Sequence, residues 1–443
     1  MKKTRVLILG GGFGGLYAAL EFEKRRDPDF EVTLISQENF FLFTPMLHEV
    51  AASDLDLTHI VNPIRKMLRH VRFFEGDVQS IDLAGHRVVI SHGFDQHTHS
   101  LEYDHIVFAL GSVTNFYNIP GLSERALRMK SLGDAMALRN RLIEHLEEAD
   151  TECAAKDREP LLSFVVAGGG FAGVETIGSI NDLLKEALPY YPALRAEMFR
   201  VVLVHPGDFI LPELGEELGR YAGHKLAARG VEIRSNSKVK AVTPSEVELT
   251  DGTRIKSFTL VWTAGTSPHP LLNQLALPKE RNRLKANASM EVEGCPGVWA
   301  LGDCAMIPDG KGGYQPPTAQ HALREGKVLA HNIVASVRGE ALINALRIQN
   351  TRSVSVDRAA DRCRANPRIQ LLRIHRLVAL AYDLSAKTAP RRKETAGSTR
   401  LDSRHLFLKG FCPVSPRALA GDFGRVDSPS PRSTRSQGQS PLA

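Results

Sequence analysis

Twice along the chain, a short apolar run ends in closely spaced glycines and passes into a helical pattern. The first run, VLIL at residues 6–9, is typical of a parallel strand buried on both faces. Gly10, Gly12 and Gly15 follow, and residues 16–20 continue as a helix. Glycines at this spacing allow a tight turn, close approach of the backbone to a pyrophosphate, and close packing of helix on strand. The pattern predicts a bound dinucleotide with its phosphates at the start of the helix.

The whole strand–turn–helix unit is repeated about 160 residues later. Residues 161–175 read LLSFVVAGGGFAGVE, with Gly168, Gly170 and Gly173 in matching positions. Repetition of an entire unit is more specific than one glycine motif. Two units predict two dinucleotides, an electron donor and an acceptor that can meet. Glu175 lies in the first turn of the second helix, where it either interacts with the helix dipole or contacts a nicotinamide.

The strand after each helix ends on an unusual residue. An acidic side chain normally binds the ribose hydroxyls at this position. After the predicted strand at 31–35 the chain has Ser36, whose hydroxyl can form a hydrogen bond, and Glu38 follows nearby. After the predicted strand at 200–204 it has His205, which selects neither the 2′-hydroxyl of NADH nor the 2′-phosphate of NADPH. The preference between the two cofactors stays open.

Further apolar segments predict the remaining strands. These cover residues 72–82, 87–92, 102–110, 259–264 and 297–303. Gly111 follows the strand at 102–110, and Gly265 follows the strand at 259–264. We expect each of these two strands to join the sheet of its own nucleotide unit. Asp303 ends the last strand, where it either accepts hydrogen bonds from sugar-like hydroxyls or is a simple turn residue.

Two predicted helices and an aromatic segment complete the pattern. Residues 131–149 predict a polar helix that leads away from the first unit. Residues 316–333 predict a helix with Ala319 facing inward and an N-terminus that could point at a flavin ring. Residues 40–50, FFLFTPMLHEV, are dense in apolar side chains around Thr44 and form either plain core or the wall of a cofactor site.

Composition and charge describe a globular chain. Its 443 residues suffice for two or three domains, 43% are hydrophobic and 24% are charged. No apolar run reaches transmembrane length. Residues 345–443 hold 19 Lys and Arg against 7 Asp and Glu, so they carry +12 while residues 1–344 carry −6. The main body therefore offers no electrostatic case for nucleic-acid binding.

The five cysteines form no C-x-x-C motif and no disulfide framework, which favours a reducing, cytoplasmic compartment. They are Cys153, Cys295, Cys304, Cys363 and Cys412. The first glycine motif is not followed by C-x₄-C, which argues against a reductase with a flavin-linked dithiol. Cys304 is interpreted as a packed small residue rather than a nucleophile. The sequence predicts no metal site.

Taken in order, the motifs resemble the two-dinucleotide flavoprotein reductases and, more narrowly, the type II NADH:quinone oxidoreductases. The matching segments are GGGFGG at 10–15, FFLFTPMLHEV at 40–50, YDHIVFALGS at 103–112, GGGFAGVE at 168–175, VWTAGT at 261–266, GVWALGDCA at 297–305 and PTAQHALREGKVLAHNI at 317–333. The resemblance covers about residues 4–344. The chain departs from the family at Ser36, at His205 and at Arg324, where many members carry a second Gln.

The resemblance implies an α/β fold of two Rossmann-like dinucleotide-binding domains. An FAD domain at residues 1–120 and 263–343 would contain an inserted NAD(P) domain at 121–262, followed by a tail at 344–443. FAD would lie on the first glycine motif and NAD(P)H on the second, with Ala319 and Gln320 beside flavin and quinone. The predicted catalytic residues are Glu175 and Gln320, and the predicted cofactor-binding residues are Gly10, Gly12, Gly15, Ser36, Thr44, Gly111, Gly168, Gly170, Gly173, Gly265, Asp303 and Ala319.

The implied reaction passes hydride from NADH to FAD and then two electrons to a quinone, without proton pumping. Two alternatives stay open. A sulfide:quinone reductase would need cysteines at the flavin, and a catalytically inactive FAD- and NAD-binding protein would leave the flavin unreduced. Family members lie on the cytoplasmic face of a membrane, and the resemblance also implies a homodimer.

Residues 344–443 depart from the family, whose members continue into a Trp-rich, amphipathic membrane-binding end. Composition predicts a disordered basic tail. We hypothesise that this tail is translated in a shifted reading frame, because a shift of one nucleotide permits tryptophan-rich strings over residues 373–383. Such aromatic, amphipathic strings are typical of segments that lie on a membrane. The membrane anchor, part of the quinone pocket and a dimer interface would then be lost.

Overall fold

The structure is a computed structural model that describes residues 3–152 and 154–344. The predicted disordered tail and the hypothesis of a shifted reading frame lie outside these residues. Cys153, Cys363 and Cys412 lie outside them as well.

Strands and helices alternate through the described residues. The first part forms β1 (Thr4–Leu9), α1 (Phe13–Arg25), β2 (Phe30–Ser36), β3 (Phe40–Leu42), α2 (Leu47–Ala51), β4 (Val61–Pro63), α3 (Ile64–Met67), β5 (Arg72–Glu75), β6 (Asp77–Asp82), β7 (Arg87–His92), β8 (His97–Glu102), β9 (His105–Phe108) and β10 (Ser112–Thr114). The middle part forms α4 (Leu122–Arg125), α5 (Leu132–Thr151), α6 (Ala155–Leu161), β11 (Ser163–Ala167), α7 (Phe171–Ala187), β12 (Arg200–Val204), α8 (Glu216–Ala228), β13 (Val231–Arg234), β14 (Val239–Val242), β15 (Glu246–Leu249), β16 (Arg254–Lys256), β17 (Thr259–Trp262) and β18 (Thr266–Pro268). The last part forms β19 (Lys279–Glu280), β20 (Arg283–Lys285), β21 (Val298–Ala300), β22 (Ala305–Met306) and α9 (Ala319–Arg338).

The first nucleotide sheet is parallel, in the order β21-β9-β1-β2-β5. Its central strand β1 is apolar from Val6 to Leu9, and all four of these residues are buried. A continuous apolar run is expected in a strand covered on both faces. Strand β1 lies at the centre of the sheet between β2 and β9, and dinucleotide-binding folds take up their ligand at the carboxyl end of such central strands.

The second nucleotide sheet repeats this arrangement in the order β13-β12-β11-β17, again parallel. Strand β11 holds the same central position as β1, and all five of its residues are buried. The α/β class with two Rossmann-like sheets is thus confirmed. The second sheet is formed by strands that lie between the two groups of strands of the first, whereas the domain boundaries stay a prediction.

Helices α1 and α9 cross closely on one face of the first sheet. At the crossing, a β-carbon on Gly326 would overlap the Gly14 carbonyl oxygen, and one on Gly14 would overlap the Leu301 side chain. Glycine at these positions allows the two backbones to touch. The N-terminus of α9 is thereby held beside the first glycine turn.

One segment predicted as a single strand is divided in two, so that prediction is wrong. Residues 72–82 form β5 in the parallel sheet and β6 in an antiparallel sheet with β7 and β8. Gly76 lies between them, where a β-carbon would approach Ile90 to 2.6 Å, and its absence lets the chain change sheets. Residues 102–110 contain β9, which pairs with β1 as expected, and their first residue, Glu102, ends β8. Between the two strands, the Asp104 carboxylate accepts hydrogen bonds from the Arg5 backbone and guanidinium.

Two helices differ from their predicted limits. Helix α5 begins at Leu132, where Ser131 and Asp134 form a reciprocal capping box. Its buried side combines apolar residues with the polar side chains of Arg139, Asn140 and His145. Helix α9 begins at Ala319, because Thr318 caps it, and ends at Arg338, after which Gly339 forms the C-cap. Within residues 3–152 and 154–344, no helix combines the length and apolarity needed to cross a membrane.

Candidate active site

The first glycine turn joins β1 to α1. Gly10 has a φ of +109°, and its N–H donates to the Ile35 carbonyl oxygen at 2.8 Å. A β-carbon at Gly15 would overlap the Gly10 carbonyl oxygen, so glycine is needed for the helix to start this close to the strand. A β-carbon at Gly12 would meet no described atom within 4 Å. The turn therefore leaves space beside Gly12 where a pyrophosphate would approach.

The second glycine turn, between β11 and α7, has the same geometry. Gly168 has a φ of +124°, and its N–H donates to the Val204 carbonyl oxygen at 2.9 Å. A β-carbon at Gly173 would overlap the Gly168 carbonyl oxygen. At Gly170, a β-carbon would lie 3.4 Å from Glu213 Oε1, so an acidic side chain lies near this turn.

The N-cap residue of each helix is a glycine, Gly12 before α1 and Gly170 before α7, so neither N-cap has a side chain that accepts a hydrogen bond. The N–H groups of an uncapped first turn form the positive end of a helix dipole, which attracts phosphate. The two cradles therefore fit the pyrophosphates of two dinucleotides.

The residue that ends the second strand of each unit packs on its glycine turn. Ser36 Oγ would lie 2.7 Å from a β-carbon on Gly11. His205 Nδ1 accepts a hydrogen bond from the Gly169 N–H at 3.1 Å. Burial lowers the pKa of His205, which favours the neutral ring in this contact. Its imidazole is thus engaged with backbone, and the structure provides no acid at the position that normally binds ribose.

Asp303 lies in a 3₁₀ helix, Gly302–Cys304, that follows β21. Its Oδ2 accepts a hydrogen bond from Ser112 Oγ at 2.6 Å, and Lys130 Nζ donates to the same hydroxyl at 3.0 Å. Gly111, with a φ of +65°, immediately precedes Ser112. The structure therefore brings predicted residues Gly111 and Asp303 together, and adds Ser112 and Lys130.

The start of α9 adjoins this cluster. Glu325 Oε2 accepts a hydrogen bond from the Gly302 N–H at 2.8 Å, and a β-carbon on Gly302 would lie 3.4 Å from the Ala322 β-carbon. Burial raises the pKa of Glu325 to about 7. Ala319 and Gln320, both partly buried, are the first two residues of this helix.

Glu175 lies where the two nucleotide units meet. Its Oε2 is 3.6 Å from Nε2 of His48, a buried residue of α2 in the first unit. His48 Nδ1 lies 2.9 Å from Ser179 Oγ on α7. Burial, and then the nearby Glu49 carboxylate, raise the pKa of Glu175 to about 8. This shift favours the protonated carboxyl at pH 7.

Thr44 and Gly265 lie at the edges of this region. Thr44 is exposed at the start of the 3₁₀ helix Thr44–Met46. The flanking Phe41 and Phe43 pack against Phe13, the first residue of α1, with centroids 4.9 and 5.6 Å apart. The Gly265 carbonyl accepts a hydrogen bond from the Asn115 N–H at 3.0 Å, next to the β10–β18 pair. The roles of both residues stay predictions.

Cys304 is fully buried and donates its thiol hydrogen to backbone carbonyls, with sulfur 3.2 Å from Leu301 O and 3.3 Å from Phe108 O. Burial raises the pKa of this thiol to about 12. A neutral, hydrogen-bonded thiol is neither a nucleophile nor a redox centre.

Four side chains of this region were missed in the sequence: His48, Ser112, Lys130 and Glu325. His48 carried a signal, because it is a polar residue inside the apolar segment at 40–50. The other three could not be assigned from spacing, since their partners are 18 to 191 residues away in the chain.

Comparisons with known proteins agree with this architecture. The family model for pyridine nucleotide-disulphide oxidoreductases matches residues 4–326. Demethylphylloquinone reductase of Synechocystis is 33% identical over 352 residues, covering 77% of this chain and 81% of that protein. The type II NADH:quinone oxidoreductase of Mycobacterium tuberculosis is 33% identical over 354 residues, covering 76% and 74%. The structure of Plasmodium falciparum NDH2 in complex with NADH shares the fold, with a TM-score of 0.69 at 20% identity over 75% of this chain and 83% of that one.

The two Rossmann-like sheets and the sequence match together define the class: the chain belongs to the pyridine nucleotide-disulphide oxidoreductases. Within this class its relatives place it more narrowly, and it belongs to the type II NADH:quinone oxidoreductases.

Proposed function

We propose that this chain binds FAD on the first glycine turn and NAD(P)H on the second, and that it oxidises NADH with a quinone. The contact between His48 and Glu175 carries the proposal. His48 belongs to the first nucleotide unit, and Glu175 to the first turn of the second helix motif. A single site shared by both units is what electron transfer between two dinucleotides requires.

Bound FAD would supply the redox chemistry, taking hydride from the nicotinamide and giving two electrons to the quinone. The protein binds and orients the partners. We assign the pyrophosphates to the turns at Gly12 and Gly170, and the flavin's sugar-like hydroxyls to Asp303, whose carboxylate Ser112 orients. Ala319 and Gln320, at the start of α9 beside this cluster, are assigned to the border of flavin and quinone.

The proton balance of quinone reduction by NADH indicates a role for Glu175. Reduction of a quinone to a quinol uses two electrons and two protons, whereas a hydride brings two electrons and one proton. Each turnover therefore takes up one further proton. Glu175 holds a proton at pH 7 because its pKa is about 8, and Oε2 faces His48 Nε2. We assign to Glu175 the storage of this proton beside the nicotinamide.

Sulfide:quinone chemistry is not supported by Cys304, whose neutral thiol is used in two backbone hydrogen bonds. Variants of Cys153 and Cys304 keep this alternative testable. On the present proposal, Cys153→Ser and Cys304→Ala leave the rate of flavin reduction by NADH within about twofold of wild type. Loss of turnover with flavin still bound would favour the sulfide-type alternative.

Membrane attachment at the cytoplasmic face and a homodimer are proposed from the family only, and we propose that both are weakened here by the altered tail. The gene sequence tests this idea. Tryptophan-rich strings in the shifted frame beyond codon 344 would support it, and early stop codons there would refute it. Quinone reduction in vesicles at the rate expected of an anchored enzyme would also contradict it.

The deciding experiment is an anaerobic titration of the purified protein with NADH and, separately, NADPH, while the flavin absorbance is followed. The proposal expects bleaching by at least one cofactor and recovery on addition of a soluble quinone. Flavin that stays oxidised would mean a catalytically inactive flavoprotein. Protein that carries no flavin after reconstitution with FAD would refute the assignment of the first turn.

A further inference from the structure

Three histidines gather at one end of a hairpin that the proposed reaction does not use. His92 ends β7, and His97 and His99 lie on β8, after the turn at residues 93–96. In this antiparallel pair, His92 is directly opposite His97, and Ile90 is opposite His99. Because side chains alternate along a strand, the three rings share one face of the hairpin with Ile90.

This face is covered at one end and open at the other. Ile90 is fully buried, whereas His92 is partly buried and His97 and His99 are exposed. Phe74 of β5 packs edge-on against His92 and His99, with ring centroids 5.1 and 5.6 Å apart. The histidines thus lie at the edge of the apolar core and are accessible from solvent.

The imidazole nitrogens are close enough to share one ligand. Each ring offers a nitrogen, and these three atoms lie within 4.8 Å of one another. Asp95 Oδ1 lies 2.6 Å from His97 Nδ1, which directs the other ring nitrogen, Nε2, away from the carboxylate. A carboxylate behind a ligating histidine is a common outer partner that fixes ring orientation and tautomer.

We propose that His92, His97 and His99 bind one divalent transition-metal ion of the zinc, copper or nickel type, with Asp95 positioning His97. Neutral imidazole is a preferred ligand of these ions, and three protein ligands leave one position for water. Tetrahedral coordination at about 2.0–2.1 Å requires nitrogens about 3.3 Å apart. The present separations, at most 4.8 Å, would have to shorten by rotation of the rings.

The surroundings favour a cation. The charged groups that face the rings are Asp95 on the turn and Glu75 on β5, both acidic. The metal would join the two strands next to the turn of the hairpin.

The test uses full-length protein with FAD bound, freed of metal by chelation and titrated with Zn²⁺ by calorimetry and with Co²⁺ by visible absorption. Wild type is compared with the His97→Asn, His99→Asn double variant and with Asp95→Asn. The matched control removes two exposed histidines elsewhere, His59→Asn and His224→Asn. Flavin content and circular dichroism establish that every variant is folded.

Wild type and the control should bind one equivalent of metal more than the double variant, with tetrahedral Co²⁺ bands that the double variant lacks. Asp95→Asn should retain the site with affinity about 10- to 100-fold weaker. Equal stoichiometry in wild type and the double variant, or equal loss in the control, would overturn the proposal. The outcome is independent of NADH oxidation, because none of these residues contacts the glycine turns or Glu175.

Discussion

The two glycine turns have nearly the same backbone and different surroundings. In each, the first glycine has a φ above +100° and donates to the neighbouring strand at 2.8–2.9 Å, and the last one packs on the carbonyl of the first. The residue two positions beyond the last glycine differs: it is Tyr17 in α1 and Glu175 in α7. Tyr17 packs on Phe41, with centroids 6.5 Å apart, whereas Glu175 lies beside His48. The two turns thus share one backbone geometry, whereas the side chains around them differ.

The strand-end residues extend this contrast. Ser36 presents a small hydroxyl beside Gly11, whereas His205 binds the Gly169 backbone, and Glu213 adds a carboxylate near Gly170. We therefore expect the strand-end residues to affect ribose recognition and the glycine turns to affect phosphate recognition, independently of each other. Variants in the cradle should abolish binding, whereas variants at the strand ends should only change preference.

The largest expected effect comes from filling one cradle at a time. Gly15→Val should reduce FAD content at least tenfold, because its side chain would overlap the Gly10 carbonyl. Gly173→Val should leave FAD in place and raise the KM for NADH at least tenfold. Flavin absorbance per protein and steady-state kinetics measure the two effects.

Gly178→Ala is the matched control, since Gly178 lies on α7 and a β-carbon there would meet no described atom within 4 Å. It should preserve both binding functions and stabilise the helix by up to about 1 kcal/mol. Loss of FAD in both valine variants, without general unfolding, would break the assignment of one cofactor to each turn.

Glu175→Gln should give the next largest effect, and it depends on pH. In the folded protein the pKa of Glu175 is about 8, against about 4.5 in a free carboxyl. The wild type therefore loses stability relative to the permanently neutral variant as pH rises between these values, by at most about 1.4 kcal/mol per pH unit. Thermal unfolding with FAD bound should show equal stability near pH 4 and an advantage of the variant at pH 9.

Catalysis gives the second readout for Glu175. Turnover of the wild type should decline above pH 8, and the variant should be slower and lose this decline. A stability difference that does not change with pH would contradict the raised pKa, and Tyr17→Phe, at the matching position of the first turn, should show neither effect.

Features that depend on residues close together in the sequence could be predicted, whereas features that depend on contacts between distant residues could not. Local patterns predicted the turns at Gly10 and Gly168, because strand, glycine spacing and helix lie within twenty residues. The division of residues 72–82 was missed, because it depends on the approach of Gly76 to Ile90 on another strand. The hairpin strand that carries His97 and His99 was missed for a related reason. It contains few apolar residues, so no alternating pattern marks it as a strand, and it is stabilised by its pairing with β7.

The site shows the same limit. Gly111 and Asp303 were each predicted as site residues because they follow predicted strands. The hydrogen bonds that link Lys130, Ser112 and Asp303 could not be predicted, because they depend on the pairing of β9 with β21. The proximity of Glu175 to His48 likewise depends on packing between α2 and α7, which no spacing in the sequence encodes.

A smaller effect is expected at the end of β12. His205→Glu would place a carboxylate where the ribose 2′-hydroxyl of NADH binds and would repel the 2′-phosphate of NADPH. The ratio of kcat/KM for NADH over NADPH should rise about tenfold. His205→Gln, which keeps a neutral acceptor near the Gly169 N–H, should change the ratio less than threefold, and an equal change in both variants would mean that backbone support, not charge, sets the preference.

The smallest expected effect is on FAD affinity and comes from Ser36 at the end of β2. It tests directly how the first nucleotide unit differs from the second. If Ser36 occupies the ribose position of the first unit, then Ser36→Asp restores the acid that this fold normally uses and should tighten FAD binding about fivefold, or about 1 kcal/mol. Ser36→Asn has similar size without charge and should change affinity by less than twofold. Fluorescence titration of flavin-free protein with FAD measures both. Because Ser36 Oγ already lies close to Gly11, weaker binding in both variants would show that the hydroxyl acts by its small size, whereas tighter binding in the aspartate alone assigns the ribose to this strand end.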